Sequence, residues 1–322
     1  MSTASPSTSP ALTRRQLRQI AIITAVAIAI FAFMRWLPTG TNLNHMDFRV
    51  DAKNVIDFCD PLNPQFIPVV AVTSPVNLTL SGVQNARAGE LVRATAVLRT
   101  ANGKPIGTPD LVVTHTELLH LLIVDPTLTD YQHVHPQPGR APGEWEFEFT
   151  PRFGGTYRVF ADFTPAATNR GLYAHVDLPV AGPTHDPVRT LSRPGAHSVP
   201  TQAGFEPVTD GDYVFKLSGQ TFPIRAGQPA DLWLTIERPD GGTVPLEPVM
   251  GAFAHLVAFD EASSGFAHLH PGDQDLTKRP DAHRPALDFK ITIPRAGRYV
   301  IWSQVNLDGR EVFTPFWFEV VE

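Results

Sequence analysis

Five landmarks recur in the same order in the two halves of this 322-residue chain. That duplication limits the fold more than any other feature. The first copy opens with "LTLSG" and continues as "ARAGELVRATAVLRTANGKPI"; the second opens with "FKLSG" and continues as "IRAGQPADLWLTIERPDGGTVPL". Each reads as a strand, a turn containing Arg-Ala-Gly, an alternating strand and a hairpin turn. Asn102-Gly103 and Asp240-Gly241 supply that turn, because both residue types tolerate positive φ. A histidine-bearing stretch follows in each copy. Next come "WEFEFTPRFGGTYRVFADF" and "LDFKITIPRAGRYVIWSQV", and finally "AHVDLPV" or "PFWFEVV". Short alternating strands with turn signals every 8–12 residues predict a mainly β chain of two tandem β-sandwich repeats. The expected repeats are 74–182 and 205–322, joined by a Pro/Gly/Ser-rich linker over 183–204. Residues 38–73 read as a connecting segment with an edge strand near Phe66 to Val72.

The N-terminus sets the compartment. Residues 1–18 read as a disordered cytoplasmic tail. Residues 19–37 read as a transmembrane anchor, near the ~18-residue minimum for crossing a bilayer. Arg14, Arg15 and Arg18 precede the apolar run, so the positive-inside rule places the bulk of the chain on the extracytoplasmic side. A cleaved signal peptide and a twin-arginine export signal are the rival readings, and each also carries the rest of the chain across a membrane. A formal net charge of -6 argues against a nucleic-acid partner, which calls for a basic patch. The single cysteine, Cys59, cannot form an internal disulfide. It reads as a small buried apolar residue, with a soft metal ligand or an intermolecular bridge as alternatives.

The histidines carry the chemistry. "HLLIVDPTLTDYQHVHP" (120–136) and "HLVAFDEASSGFAHLHP" (255–271) place a lone histidine 13 residues before a His-x-His pair. In a strand, residues i and i+2 share a face. A hairpin closing on "DPTLTD" or "DEASSG" sets His120 opposite His133 or His135, and His255 opposite His268 or His270. Either register leaves all three rings on one side. Opposed Cβ atoms lie ~4.5–5.5 Å apart, so each triad can converge on one ion, and Zn²⁺ and Cu²⁺ both accept neutral imidazole nitrogen. The opposing reading is packed strand histidines inherited by both copies. "LLIV" and "LVAF" are too uniformly apolar for a solvated face and predict strands covered on both sides.

His115 and Met250 stand five residues before the lone histidines. They qualify as fourth ligands only where the strand is bulged or has not begun. Asp162 and Gln304 are the other candidates. His175 has no counterpart, and His45, Met46, His185, His197 and His283 read as exposed. Free imidazole titrates near pH ~6.5, so ion affinity is expected to fall below about pH 6. With separate cores expected for the repeats, the two sites are expected to be independent.

The motif His-Leu…Phe/Tyr-x-His-x-His-Pro and the strand "YRVFAD" resemble those of bacterial secreted or membrane-anchored proteins with Ig-like or cupredoxin-like sandwiches. They are loosely similar to the YtkA-like and CopC-like metal-handling domains. The resemblance spans both repeats and implies a periplasmic or cell-surface metal-binding role through His120, His133, His135, His255, His268 and His270. The chain departs from CopC, whose site uses a free mature N-terminal amine, and from cupredoxins, whose last loop carries a Cys-His-Met set. No Walker loop, Gly-x-Ser-x-Gly or His-Glu-x-x-His is present, and no catalysis is expected. A membrane-anchored protein that binds, buffers or passes copper to a partner protein is the first reading. An Ig-like adhesion module for a protein or glycan, with structural histidines, is the alternative.

Overall fold

The computed structural model describes residues 12–36, 41, 43–49, 65–185 and 205–322. Cys59, His197, residues 1–11 and residues 186–204 lie outside the described residues, as do the expectations attached to them. The N-terminal helix spans Arg14–Trp36, 23 residues. At 1.5 Å per residue it is about 35 Å long, enough to cross a ~30 Å hydrocarbon layer. Its stretch Arg14–Met34 has a mean hydropathy of 2.1. Large apolar side chains such as Ile23, Ile28 and Phe31 are exposed. This helix belongs to one unit and residues 43–322 to another.

The rest is mainly β. In the first repeat, Val76–Ser81, Val92–Thr100 and Glu144–Phe149 form one antiparallel sheet. Leu172–Val180, Gly155–Pro165, Leu119–Val124 and Tyr131–Val134 form the other, in that spatial order. Alternation decides which side chains enter: Val92, Ala94, Ala96 and Leu98 meet Leu121, Ile123, Tyr157 and Val159 in one apolar core. The second repeat repeats the plan. Tyr213–Gly219, Pro229–Glu237 and Ala286–Thr292 face a sheet of Arg310–Val321, Gly297–Leu307, His255–Asp260 and Phe266–Leu269. Leu232, Leu234, Leu256 and Ile301 belong to its core.

A third apolar cluster belongs to neither repeat alone. Leu122, Val124, Leu128, Tyr131 and Phe160 of the first pack with Val257, Phe259, Phe266, Val300 and Trp302 of the second. Leu122 and Val124 alternate with Leu121 and Ile123, so "LLIV" buries one face in its own sandwich and the other against its sister. This explains the doubly covered strands. It also corrects the expectation of separate cores. Further bonds cross the same boundary: Trp302 Nε1 donates to the Leu128 carbonyl (3.3 Å) and an Arg158 Nη1 donates to the Ser263 carbonyl (3.2 Å).

The connecting segment departs from expectation. In place of an edge strand over Phe66 to Val72, it makes isolated bridges at Gln65 and Ile67, followed by a 3₁₀ turn, Val69–Ala71. The bridges run to Thr292 and Phe266 of the second repeat, and Phe66 is buried in that repeat's core. The cause is steric. A Cβ on Gly265 would stand 1.9 Å from the Ile67 carbonyl oxygen, so only glycine lets the segment approach this closely.

Candidate metal centre

The triads are placed by two equivalent hairpins. Strand Leu119–Val124 pairs with Tyr131–Val134 in the register Leu121↔Val134 and Leu122↔His133. His255–Asp260 pairs with Phe266–Leu269 as Leu256↔Leu269 and Val257↔His268. One step further sets His120 opposite His135 and His255 opposite His270. Aspartates at the ends of the first strands build the loops that fix this register. Asp125 accepts from the backbone N–H groups of Thr127, Thr129 and Asp130. Asp260 accepts from those of Ser264 and Gly265. The triad rings lie on the same strand faces as Leu122, Val124 and Tyr131, or as Val257, Phe259 and Phe266. Both triads therefore point into the junction between the repeats.

Within each triad, one nitrogen per ring lies within 4.8 Å of its two fellows. The opposite nitrogens of the first two rings are tied. His120 Nε2 donates to the Thr114 carbonyl and His255 Nε2 to the Val249 carbonyl, both at 3.0 Å. His133 Nδ1 lies 2.9 Å from Gln304 Oε1, while Gln304 Nε2 donates to Glu311 Oε2. That second bond fixes the amide so that its oxygen faces His133 and accepts. His268 Nδ1 meets Asp162 Oδ2 at 3.2 Å.

These ties settle the tautomers. In the neutral rings, His120 presents the Nδ1 lone pair and His133 the Nε2 lone pair, and these two atoms stand 3.2 Å apart. Two lone pairs at that distance repel unless a cation lies between them. The edge of a tetrahedron of nitrogens around an ion at ~2.0 Å is about 3.3 Å. In the second triad, His255 Nδ1, His268 Nε2 and His270 Nε2 are buried with no hydrogen-bond partner, as is His135 Nε2 in the first. Buried nitrogens without partners are costly, and a bound cation removes the cost.

Burial also holds the rings neutral. It pulls His135 down to about 4 and His255 to about 3, and lowers His120 and His115 in the same direction. Desolvation, reinforced by neighbouring imidazoles, holds His133, His268 and His270 well below the usual value. Burial raises Asp162. Protons compete poorly with an ion for rings this resistant to protonation, so the expected loss of ion affinity below about pH 6 moves to lower pH.

Asp162 and Gln304 are corrected in role. Each sits beside the lone histidine of its own repeat in the sheet, His120↔Asp162 and His255↔Gln304. Yet each bonds a histidine of the other repeat's pair. They hold triad rings in place across the junction, the position that outer partners of metal-bound histidines take in known metal sites. His115 and Met250 are the first central residues of two-residue turns with positive φ at both positions: His115 (52°) and Thr116 (71°), Met250 (49°) and Gly251 (75°). The strand has not begun there, which frees them from its alternation. The His115 ring stacks on His270 of the other repeat, centroids 3.5 Å apart and planes 14° from parallel. It lies about as far from His120 (6.2 Å) as from His255 (6.1 Å) and His268 (6.0 Å). His175 is set apart from the triads, opposite Phe160 in the sheet. Of the scattered residues, His45, Met46 and His283 are exposed, but His185 stacks on Phe153.

The sequence marked all six triad residues but not that the triads meet. His133 and His268 approach to 5.2 Å between centroids, and His120 and His268 to 5.7 Å. A cleft of about 850 Å³ borders this cluster. Its walls include His115, Asp162, His268 and His270, together with Asp231 and Asp288.

A family model described as a domain of unknown function (DUF8832) matches residues 71–179 and 207–322, one segment in each repeat. That description names no metal-handling role. No curated protein matches the chain. Among solved structures, the chain is similar to Salmonella α-2-macroglobulin reacted with methylamine, at 12% identity and a TM-score of 0.25. The match covers 85% of this chain but 16% of that one, so this chain spans a small part of that protein's length. It is also similar to domains 4 and 5 of the S-layer protein SbsC (12% identity, 76% and 98% covered, TM-score 0.20). Fibronectin(III)-like modules of Clostridium thermocellum CbhA match at 11% identity, 76% and 93% covered, TM-score 0.18. All three likenesses are distant.

Proposed function

The chain belongs to the family described as a domain of unknown function (DUF8832), and from that premise we propose that it is a membrane-anchored extracytoplasmic metal-binding protein. Its triads His120/His133/His135 and His255/His268/His270 each take one ion, copper before zinc. The protein buffers that ion or passes it to a partner protein. The observation that carries this reading is the pair of opposed lone pairs on His120 and His133, 3.2 Å apart. Imidazole suits both Cu²⁺ and Zn²⁺, and the thioether of Met250 close in sequence to the second triad favours copper. The arginines before the N-terminal helix support the orientation.

Elemental analysis of the full-length protein purified without added metal, followed by calorimetric titration with Cu²⁺ and Zn²⁺, tests this. About two ions per chain are expected. A His133→Ala/His135→Ala/His268→Ala/His270→Ala variant that binds as well as the wild type would make the histidines structural and give first place to the adhesion module.

The cleft beside Asp162 favours a second reading, a metal-dependent hydrolase with an open coordination position. Against it, the Asp162 oxygen nearest the triad is engaged by His268. A zinc-loaded protein that turns over an activated ester, and loses this with Asp162→Asn, would establish that reading.

A further inference from the structure

The two triads are built alike, and the second borders the cleft. The cleft is walled by His268 and His270 of the second triad and by none of His120, His133 and His135. It lies between the repeats. One wall is the outward face of the second repeat's first sheet, with Asp231, Trp233, Ala286 and Asp288. The other includes Thr114, His115 and Asp162 of the first repeat. The triad nitrogens His268 Nε2 and His270 Nε2 are nonetheless buried. The cleft reaches the rings and not their donor atoms, so an ion coming from it needs an intermediate ligand.

His115 stands where that ligand is needed. It lines the cleft and its ring lies flat on His270. Its centroid is 6.0 and 6.1 Å from those of the other two rings of the second triad. It is no permanent corner of the site, since the compact group of nitrogens comprises His255, His268 and His270 without it. It sits on a two-residue turn whose central φ angles are both positive, outside any strand, so its side chain can move while the triad stays fixed by the sheet. The equivalent position in the second repeat is Met250, and no Met250 atom lines the cleft.

We propose that the cleft is the route by which ions reach and leave the junction, and that His115 of the first repeat relays them to the second repeat's triad. The first triad is then filled through the second, across the short gap between His133 and His268. This rests on the metal-binding reading above. It adds an order to the two sites and a role for a residue outside both triads. The transfer is ligand exchange alone: one imidazole–ion bond forms as another, or a bond to water, breaks, with no change in oxidation state.

Stopped-flow uptake by the full-length protein in detergent tests it, with Zn²⁺, and with Cu⁺ under reducing conditions, as probes. Trp302 packs in the junction, so its fluorescence reports arrival. Wild type should load in two phases, the second triad first. His115→Ala should slow both phases by about tenfold or more while the final stoichiometry stays at wild type. Ala286→Phe and Gln274→Phe, which fill the cleft without adding a tryptophan, should do the same. His115→Met separates a ligand from a spacer, because a thioether binds Cu⁺ and serves zinc poorly. It should restore fast Cu⁺ uptake and leave Zn²⁺ uptake slow. Thermal unfolding of each variant shows that it is folded. Wild-type rates in His115→Ala, or in both plugged variants, with two ions still bound, would overturn the relay and leave the binding reading standing. A wild type that binds no ion would overturn both, and the zero stoichiometry distinguishes that outcome.

Discussion

At the scale of single residues, the orienting bonds cross between the repeats. Gln304 accepts from His133 although 171 residues separate them. Gln304→Leu should therefore weaken the first repeat's site about 10–100-fold, though it lies in the second repeat. Competition with a chromophoric chelator, in a background carrying His268→Ala and His270→Ala, would measure it. The same burial makes the metal-free protein acid-sensitive. The triad imidazoles titrate lower when folded than when unfolded, so the unfolded chain binds protons first as pH falls. The stability they allow is intact above pH ~6.5 and is lost as pH falls towards about 4 for His135 and about 3 for His255. Each proton taken up contributes a slope of ~1.4 kcal/mol per pH unit. Urea midpoints should be level from pH 8 to 7 and fall below 6.5. Bound Cu²⁺ or Zn²⁺, which competes with the protons, should shift that fall to lower pH. The identity of the six histidines was legible from spacing alone. The roles of Asp162 and Gln304 were not, because a sequence shows which residue neighbours His120 in a sheet but not which ring approaches from another domain.

At the scale of elements, the strand Leu119–Val124 carries two packing jobs. Leu121 faces its own sandwich and Leu122 the junction, and both are fully buried. Truncation of either to alanine should cost about 2–5 kcal/mol. Only Leu122→Ala should also lower ion affinity at both triads, because its cavity lies in the cluster that holds the two hairpins together. Chemical denaturation and ion titration of the two variants side by side would separate these effects. The strand and its triad face were readable because the two allowed hairpin registers differ by two residues, which preserves the face. The uniform apolar run also announced cover on both sides. The identity of that cover was hidden: it is the equivalent strand of the other copy, and period-2 alternation carries no information about a surface so distant in sequence. The segment at Gln65 and Ile67 was misread as an edge strand for a related reason. Its pairing is set by the close approach that Gly265 permits in the second repeat, not by an alternation of its own.

At the scale of the molecule, the shared cluster changes what the duplication means. Two independent sandwiches would each hold one ion and tolerate the loss of the other. Here the junction buries Leu122, Phe160, Phe259, Phe266 and Trp302 together, and the segment before the first repeat is stitched to the second at Thr292 and Phe266. About five large apolar side chains at roughly 1.5–3 kcal/mol each favour association of the two repeats without help from a covalent connection. The covalent connection over 183–204 is thus expected to be dispensable once the protein has folded. A specific protease site placed between residues 190 and 200 should allow complete cleavage. The two fragments should then co-elute in size-exclusion chromatography, keep about two ions and retain the uptake rate of the uncut chain. Separation of the fragments under native conditions would show that the linker, not the junction, holds the triads together. Retained association with Leu122→Asp and Phe266→Asp combined would show the same junction to be unnecessary. Loss of association in that double variant, with each sandwich still folded by circular dichroism, is the expected result, since a charge on each side of the cluster would be buried without a partner.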